Sequence, residues 1–367
     1  MGVDWAAMVM VFSLEFWRMA VLWTLSLLFS YFQLLRPSPS FPRCRFSPDP
    51  ASTVKRPICV VTGATSGLGA AAAKALAGEG YHVVLAGRCP QLLSKTIEEI
   101  KQQHGDACLN TFQVDLSSIH SIMKFESSLQ QWLLDSNLHP SIQLLINNAG
   151  MLAKSLRVTA DGFDQMLETN YFGAFALTNL LMPLLKSSPV PSRIVNVTSC
   201  THRCASDVGV DKNTLARKNL YCLLTSKRYP LAGTYEYSKL CLLLFSYELH
   251  RQLFVMDPTS TVSVIPADPG AVETNIMREL PPCLSQLAFL VLRFLHLLQS
   301  PECGVGSILD AALAPPEASG KYFFGGKGRT IKSSSLSYNA KLAEKLWSAS
   351  FLLFQEAKCR VTESADT

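Results

Sequence analysis

Ile58-Cys59-Val60-Val61-Thr62-Gly63-Ala64-Thr65-Ser66-Gly67-Leu68-Gly69 is the stretch that decides the fold of this chain. The first four residues read as a short buried strand. The run 70–77 that follows the glycines is almost all alanine and leucine, strong helix formers. The glycines therefore lie where a strand turns into a helix. Gly63 allows a tight turn. Gly67 and Gly69 carry no side chain, so a pyrophosphate can approach the helix N-terminus and the helix can approach the sheet. A second strand is expected at His82-Val83-Val84-Leu85-Ala86. In a dinucleotide fold, an acid at its end would accept hydrogen bonds from a ribose 2′-hydroxyl. Here the chain reads Gly87-Arg88, and a guanidinium suits a 2′-phosphate better. This favours NADP(H), with NAD(H) as the alternative because Thr65 and Ser66 supply no second positive charge in the turn.

Working outward, further strands are expected at Phe112-Gln113-Val114-Asp115-Leu116, Leu144-Leu145-Ile146, 194–199 and 261–265. Amphipathic helices are expected between them, over 92–103, 119–134, 163–185 and 235–253. Short apolar runs alternating with helices predict an α/β fold, a Rossmann-like doubly wound parallel sheet with helices on both faces. Strands covered on both faces need no polar alternation. Ligand groups should gather at the carboxyl ends of the strands, where the glycine turn, Asp115, Asn147, Ser199 and Pro269-Gly270 all fall.

Downstream, Tyr235-Glu236-Tyr237-Ser238-Lys239 opens a long apolar stretch. Residues four apart stack on one helix face, which places an ammonium beside a phenol. A free tyrosine ionises near pH ~10, and a fixed cation favours the phenolate. Such a pair can exchange protons near neutral pH. Taken alone the pattern also fits an ordinary surface helix.

In this order, Thr62-Gly63-x3-Gly67-x-Gly69, Asn147-Asn148-Ala149-Gly150, Glu168-Thr169-Asn170-Tyr171-Phe172-Gly173, Ser199, Tyr235-x3-Lys239 and Pro269-Gly270 resemble the short-chain dehydrogenase/reductase family over residues 57 to 330. Within it the chain is similar to the branch of retinol dehydrogenases and polyprenol dehydrogenase-like reductases. The resemblance implies that Tyr235 exchanges a proton with the substrate oxygen. Lys239 would hold the nicotinamide ribose and lower the Tyr235 pKa. Ser199 would hydrogen-bond the substrate oxygen, and Asn170 would complete a proton relay through water. It also implies cofactor contacts from Gly63, Thr65, Ser66, Gly67, Leu68, Gly69, Arg88, Asp115, Asn147, Ala149, Gly150, Tyr235, Lys239, Pro269, Gly270, Val272 and Thr274. Asp115 would meet the adenine and Thr274 the carboxamide. For Asp115, Asn147 and Asn148 a purely structural part in turn hydrogen bonding remains open. No metal is implied. A catalytically weak scaffold on the same fold is the alternative to an enzyme, and the intact Ser199, Tyr235, Lys239 and Asn170 favour the enzyme. Reduction is the direction expected of an NADPH enzyme.

The ends of the chain differ from its middle. Residues 1–35 are expected to form a membrane-anchor helix, because 19–35 run without a charge. No basic start or small-residue cleavage site marks a removable signal. A helix lying in the interface and a plastid-type targeting segment are the alternatives. Arg36, Arg43, Arg45, Lys55 and Arg56 follow it, which places the catalytic domain on the cytosolic side, with the endoplasmic reticulum as the expected membrane. Residues 36–56 hold five prolines and read as a stiff linker. Residues 331–367 read as a helical extension. The insertion 202–230 is either a solvated loop or a flap over the substrate mouth. Residues 284–298 are either a core or dimer helix, or a greasy lid that admits a lipophilic, isoprenoid- or retinoid-like substrate. A homo-oligomer is compatible with the resemblance. The net charge of +5 is mild, and no basic stripe interleaved with aromatics points to nucleic acid. The 11 cysteines lack CxxC or zinc spacing and read as reduced thiols. The sequon Asn196-Val197-Thr198 lies in an expected central strand, where glycosylation would find no access.

Overall fold

A computed structural model describes residues 13–46, 54, 56–136, 138–205, 209–215, 229–255, 257 and 259–365. Strands β1 (Ile58–Thr62), β2 (His82–Gly87), β3 (Leu109–Gln113), β4 (Leu144–Asn147), β5 (Ser192–Val197) and β6 (Val262–Asp268) form one parallel sheet in the order β3-β2-β1-β4-β5-β6. The order reverses between β1 and β4, and in such sheets the crevice outside the carboxyl ends opens at that reversal. Two pairings extend the β6 edge. A strand at Tyr322–Phe324 joins β6 in parallel, and Thr330–Ile331 closes the edge antiparallel.

Burial explains the composition of the strands. Every side chain of β1, β4, β5 and β6 is buried. One apolar cluster fills the face toward helices α4 (Ile119–Asp135), α5 (Gly173–Lys186) and α6 (Leu231–Val255). A second fills the face toward α2 (Gly67–Gly78) and α8 (Pro301–Ala312). The C-terminal helix α9 (Ala340–Ala365) belongs to the first cluster. Its Trp347 stacks on Phe245 at 20°, and Ser350 Oγ lies 2.6 Å from Tyr171 Oη.

Three elements depart from the sequence expectation. The third strand ends at Gln113, so Val114, Asp115 and Leu116 lie in the loop beyond it, beside the crevice. The expected helix over 163–185 is interrupted: Glu168–Phe172, which holds Asn170, is one turn of π-helix leading into α5. Such a bulge inserts a residue and often marks a functional site. The third departure is at the N-terminus. Helix α1 (Leu14–Gln33) lies along the catalytic domain. Arg18 and Trp23 both bond to Glu236, Ser26 Oγ donates to the Cys200 carbonyl at 2.7 Å, and Arg203 donates to Ser30 Oγ at 2.9 Å. Among the described residues no helix is long and apolar enough to cross a membrane. The polar side chains of α1 turn toward protein partners distant in sequence. Residues 1–12 of the expected anchor, most of the 202–230 insertion, and most of the linker stretch 47–56 lie outside the described residues.

The outer face of α1 exposes Trp17, Val21, Leu25, Phe29 and Phe32. Helix α7 (Pro282–Phe294) presents a similar face, with Leu290 63% and Phe294 82% exposed. Trp17, Val21, Leu25, Leu287 and Val291 also line the mouth of the crevice, so both apolar faces continue into it.

Candidate active site

The crevice is a cavity of about 1050 Å³. At one end the backbone forms the wall. Gly63 and Gly67 have φ of +66° and +53°, a region that L side chains rarely adopt. A Cβ on Gly69 would lie 2.2 Å from the Gly63 carbonyl oxygen, so nothing larger fits. A Cβ on Gly67 would lie 3.0 Å from Thr274 Cγ2, which sets Thr274 over the turn. Asn148 holds the turn from the sheet side. Its Nδ2 donates to the Thr62 carbonyl at 2.8 Å, and its backbone N–H donates to Thr62 Oγ1 at 3.0 Å. These approaches leave bare backbone at the N-terminus of α2, where anions are favoured.

Thr65, Ser66, Gly67, Leu68, Gly69, Arg88, Asp115, Ala149, Gly150, Pro269, Gly270, Val272 and Thr274 all line the cavity. Arg88 is exposed at its rim. Asp115 Oδ1 accepts from the Ser117 backbone N–H at 2.9 Å and from its hydroxyl at 2.7 Å, so part of its capacity goes to its own loop. Asn147, expected to contact the cofactor, is buried in β4. It does not reach the cavity. Its Nδ2 donates to Thr178 Oγ1 at 2.9 Å and to Asn196 Oδ1 at 2.8 Å, tying β4 to β5 and α5. The sheet's two buried faces leave this side chain only internal partners.

Ser199, Tyr235 and Lys239 meet at the middle of the cavity. The ammonium of Lys239 lies 5.8 Å from the Tyr235 ring centre, as expected one turn apart on α6, and donates to the Val197 carbonyl at 3.0 Å. Asn170 stands behind them without lining the cavity. Its Oδ1 accepts from the Met151 N–H at 2.8 Å, and its Nδ2 donates to the Met151 carbonyl and to Ser238 Oγ. A Cβ on Gly150 would lie 3.4 Å from Asn170 Oδ1 and 3.6 Å from Lys239 Nζ, ordinary contact distances, so both groups border this glycine.

The electrostatics differ from the simple pairing argument. Burial pushes the Tyr235 phenol above its usual range, with Cys200 and Asp268 adding to the shift, and a Ser199 hydrogen bond works the other way. Lys239 is brought down to about 8 by burial, opposed by Asp268. The phenol is thus held protonated, beside an amine that titrates near physiological pH.

Two residues that carry this geometry were not singled out from sequence. Asp268, fully buried, accepts from the Gly270 N–H and the Tyr322 hydroxyl, both at 2.8 Å. His202 is brought down to about 3 by burial and by Arg203. Its Nδ1 lies 2.7 Å from the Ser199 carbonyl, and its Nε2 accepts from the Ser334 N–H at 3.1 Å. A neutral ring with the proton on Nδ1 satisfies both bonds and fixes the Ser199 loop. Asp268-Pro269-Gly270 at a strand end was a visible signal for the first; a lone histidine gave none for the second. Among the described residues no His, Cys, Asp or Glu cluster is arranged to hold a metal.

The family profile described as short chain dehydrogenase matches residues 57–209. Human polyprenol dehydrogenase is 33% identical over 297 residues, covering 80% of this chain and 83% of that protein. The chain belongs to the short-chain dehydrogenase/reductase family. Within the family it falls in the retinol and polyprenol dehydrogenase-like branch: human retinol dehydrogenase 11 is 32% identical over 303 residues, covering 82% of this chain and 86% of the other. It is accordingly a dehydrogenase/reductase acting on CH–OH groups. Among solved structures, NADPH-bound carbonyl reductase from chicken fatty liver superposes with a TM-score of 0.53 at 18% identity, covering 76% of this chain and 99% of that one, a likeness of fold.

Proposed function

We propose that this short-chain dehydrogenase/reductase is a membrane-associated, NADP(H)-dependent enzyme that interconverts a lipophilic alcohol with its aldehyde or ketone. The observation that carries the reading is the meeting of Ser199, Tyr235 and Lys239 in one cavity whose two ends differ. Bare backbone lies at one end and two apolar helix faces lie at the other.

The glycine turn holds the pyrophosphate, and Arg88 at the rim pairs with a 2′-phosphate, which selects NADP(H) over NAD(H). The nicotinamide, when bound, supplies the hydride. The chain's own residues handle the oxygen. Ser199 Oγ hydrogen-bonds the carbonyl, a donor aimed where negative charge develops. Tyr235 Oη, held protonated, gives its proton to that oxygen during reduction. Lys239, cationic below about pH 8, holds the ribose hydroxyls and stabilises the phenolate left behind. Asn170 keeps the Met151 backbone and Ser238 in place behind Lys239, where a water-borne relay can return the proton.

Membrane association rests on the exposed apolar faces of α1 and α7, which open into the cavity. Helices of this kind lie in the bilayer interface. Arg36, just past α1, suits the anionic cytosolic leaflet, and free cysteines fit the reducing cytosol. On this reading the enzyme works on the cytosolic side of the endoplasmic reticulum. Its substrate is isoprenoid- or retinoid-like, entering from the lipid. The test is a panel of carbonyl compounds assayed on membranes with NADPH and with NADH. NADPH-dependent reduction of farnesal or retinal, well above that of short polar ketones, is the expected result. Preference for NADH or for small polar ketones contradicts the reading.

A further inference from the structure

The residue following the catalytic tyrosine has no solvent-facing part to play. The Glu236 side chain is 1% exposed, and the partners of its carboxylate come from α1. Arg18 donates to Oε2 at 2.8 Å, and Trp23 Nε1 donates to Oε1 at 2.7 Å. One turn earlier, Glu15 of α1 accepts from the Ala232 N–H. Thus α1 is bolted to the first turns of the catalytic helix, one residue from Tyr235.

The consequence is where it sets the indole. The Trp23 ring lies 5.4 Å, centre to centre, from the Tyr235 ring, tilted by 42°. Both rings line the cavity and pack in one cluster with buried Met19 of the same helix and Met151. An indole bonded through its N–H to a buried carboxylate is held rigidly, because breaking that bond leaves a buried charge with fewer partners. A rigid aromatic wall beside the reacting phenol defines the width of the chamber at the reaction centre.

We propose that Trp23, locked by Glu236, is a substrate-specificity residue. It packs along the slim alkenyl end of a linear lipophilic alcohol or aldehyde and excludes bulkier ends from Tyr235. The inference rests on the reading of function given above. It assigns to the N-terminal helix a share of the substrate site in addition to its lipid-facing surface. One methylene more or less against such an apolar wall is worth about 10- to 200-fold in discrimination.

The test uses the full chain in detergent with NADP⁺ bound and farnesol as the probe, with affinities measured by calorimetry. Trp23→Ala is expected to weaken farnesol at least about tenfold, with NADP⁺ affinity unchanged. Trp23→Phe is expected to recover most of the loss. Glu236→Ala, which keeps the indole and removes its anchor, is expected to lose farnesol affinity as well. In turnover, Trp23→Ala is expected to raise kcat/KM for a bulky aryl ketone relative to farnesal. Trp23→Leu, which fills the space without the ring, serves if the alanine variant does not fold. Unchanged farnesol binding in both Trp23→Ala and Trp23→Leu overturns the proposal, as does a wild-type enzyme that binds no farnesol. A wild type that binds farnesol through Trp23 but turns over nothing strikes the proposed function and leaves this inference standing.

Discussion

The two ends of the cavity are built on opposite principles. At the glycine end the ligand surface is backbone, and its spacing is set by contacts with no slack: a single methyl at Gly69 would sit 2.2 Å from the Gly63 carbonyl. At the helical end the surface is made of side chains from α1 and α7, elements that border the sheet and expose large apolar residues outward. The first end fits a part common to every catalytic cycle, the nucleotide. The second can change with substrate, because altering a side chain there need not move the sheet.

The contrast can be broken at its rigid side first. Gly69→Ala is expected to abolish measurable NADPH binding, a loss of at least about a hundredfold by titration calorimetry, because backbone must shift to admit the methyl. Retained affinity would show that the turn is not the nucleotide cradle. At the other side, Leu290→Glu with Phe294→Glu is expected to lower partition onto lipid vesicles at least about tenfold, from the apolar burial lost. Turnover of a detergent-solubilised substrate should remain. Unchanged vesicle binding would remove α7 from the membrane surface.

Between the ends, the pH profile reports Lys239. Its value of about 8 lies below the ordinary 10.5, so the ammonium is present below pH 8 and lost as pH rises through it. The rate of carbonyl reduction, as kcat/KM, is expected to be level to about pH 7.5 and to fall as pH rises beyond about 8. A profile level to pH 9.5 would contradict a need for the cation. The smallest effect concerns stability. Glu168, fully buried at the π-helical turn, is raised to about 9 from 4.5, by burial above all and then by Asp161, with Thr159 opposing. The folded state binds its proton more tightly, so its stabilising contribution is complete below pH 4.5 and declines as pH rises toward 9. Glu168→Gln cannot titrate. Its melting temperature relative to wild type is expected to rise by about 2 °C or more between pH 5 and pH 8. A constant difference would contradict the assignment.

The same contrast governs what the sequence disclosed. Glycines between an apolar strand and an alanine-rich helix are a local pattern, and β1, the turn and α2 could be read directly. Tyr235 and Lys239 are likewise local, one turn apart. What escaped was long-range or short. Tyr322–Phe324 is a three-residue strand, too brief to show periodicity. Val114 and Leu116 read as strand because apolar residues also line the loop beside the cavity. The π-turn at Asn170 has no compositional mark. The contacts of helix α1 with the catalytic domain left no mark in its apolar periodicity. Its partners Glu236, Cys200 and Arg203 lie some two hundred residues away in the chain. Asn147 looked like a ligand contact from its place at a strand end, and only the packing of β4 between β1 and β5 shows where it points.

The central claim is that the Tyr235 phenol gives the proton in a reaction fed by the nucleotide end of the cavity. Tyr235→Phe removes one oxygen and leaves the ring against Trp23. NADPH oxidation driven by farnesal, followed at 340 nm, is expected to fall by about a hundredfold or more, with NADPH affinity retained. Wild-type turnover in that variant would contradict the account.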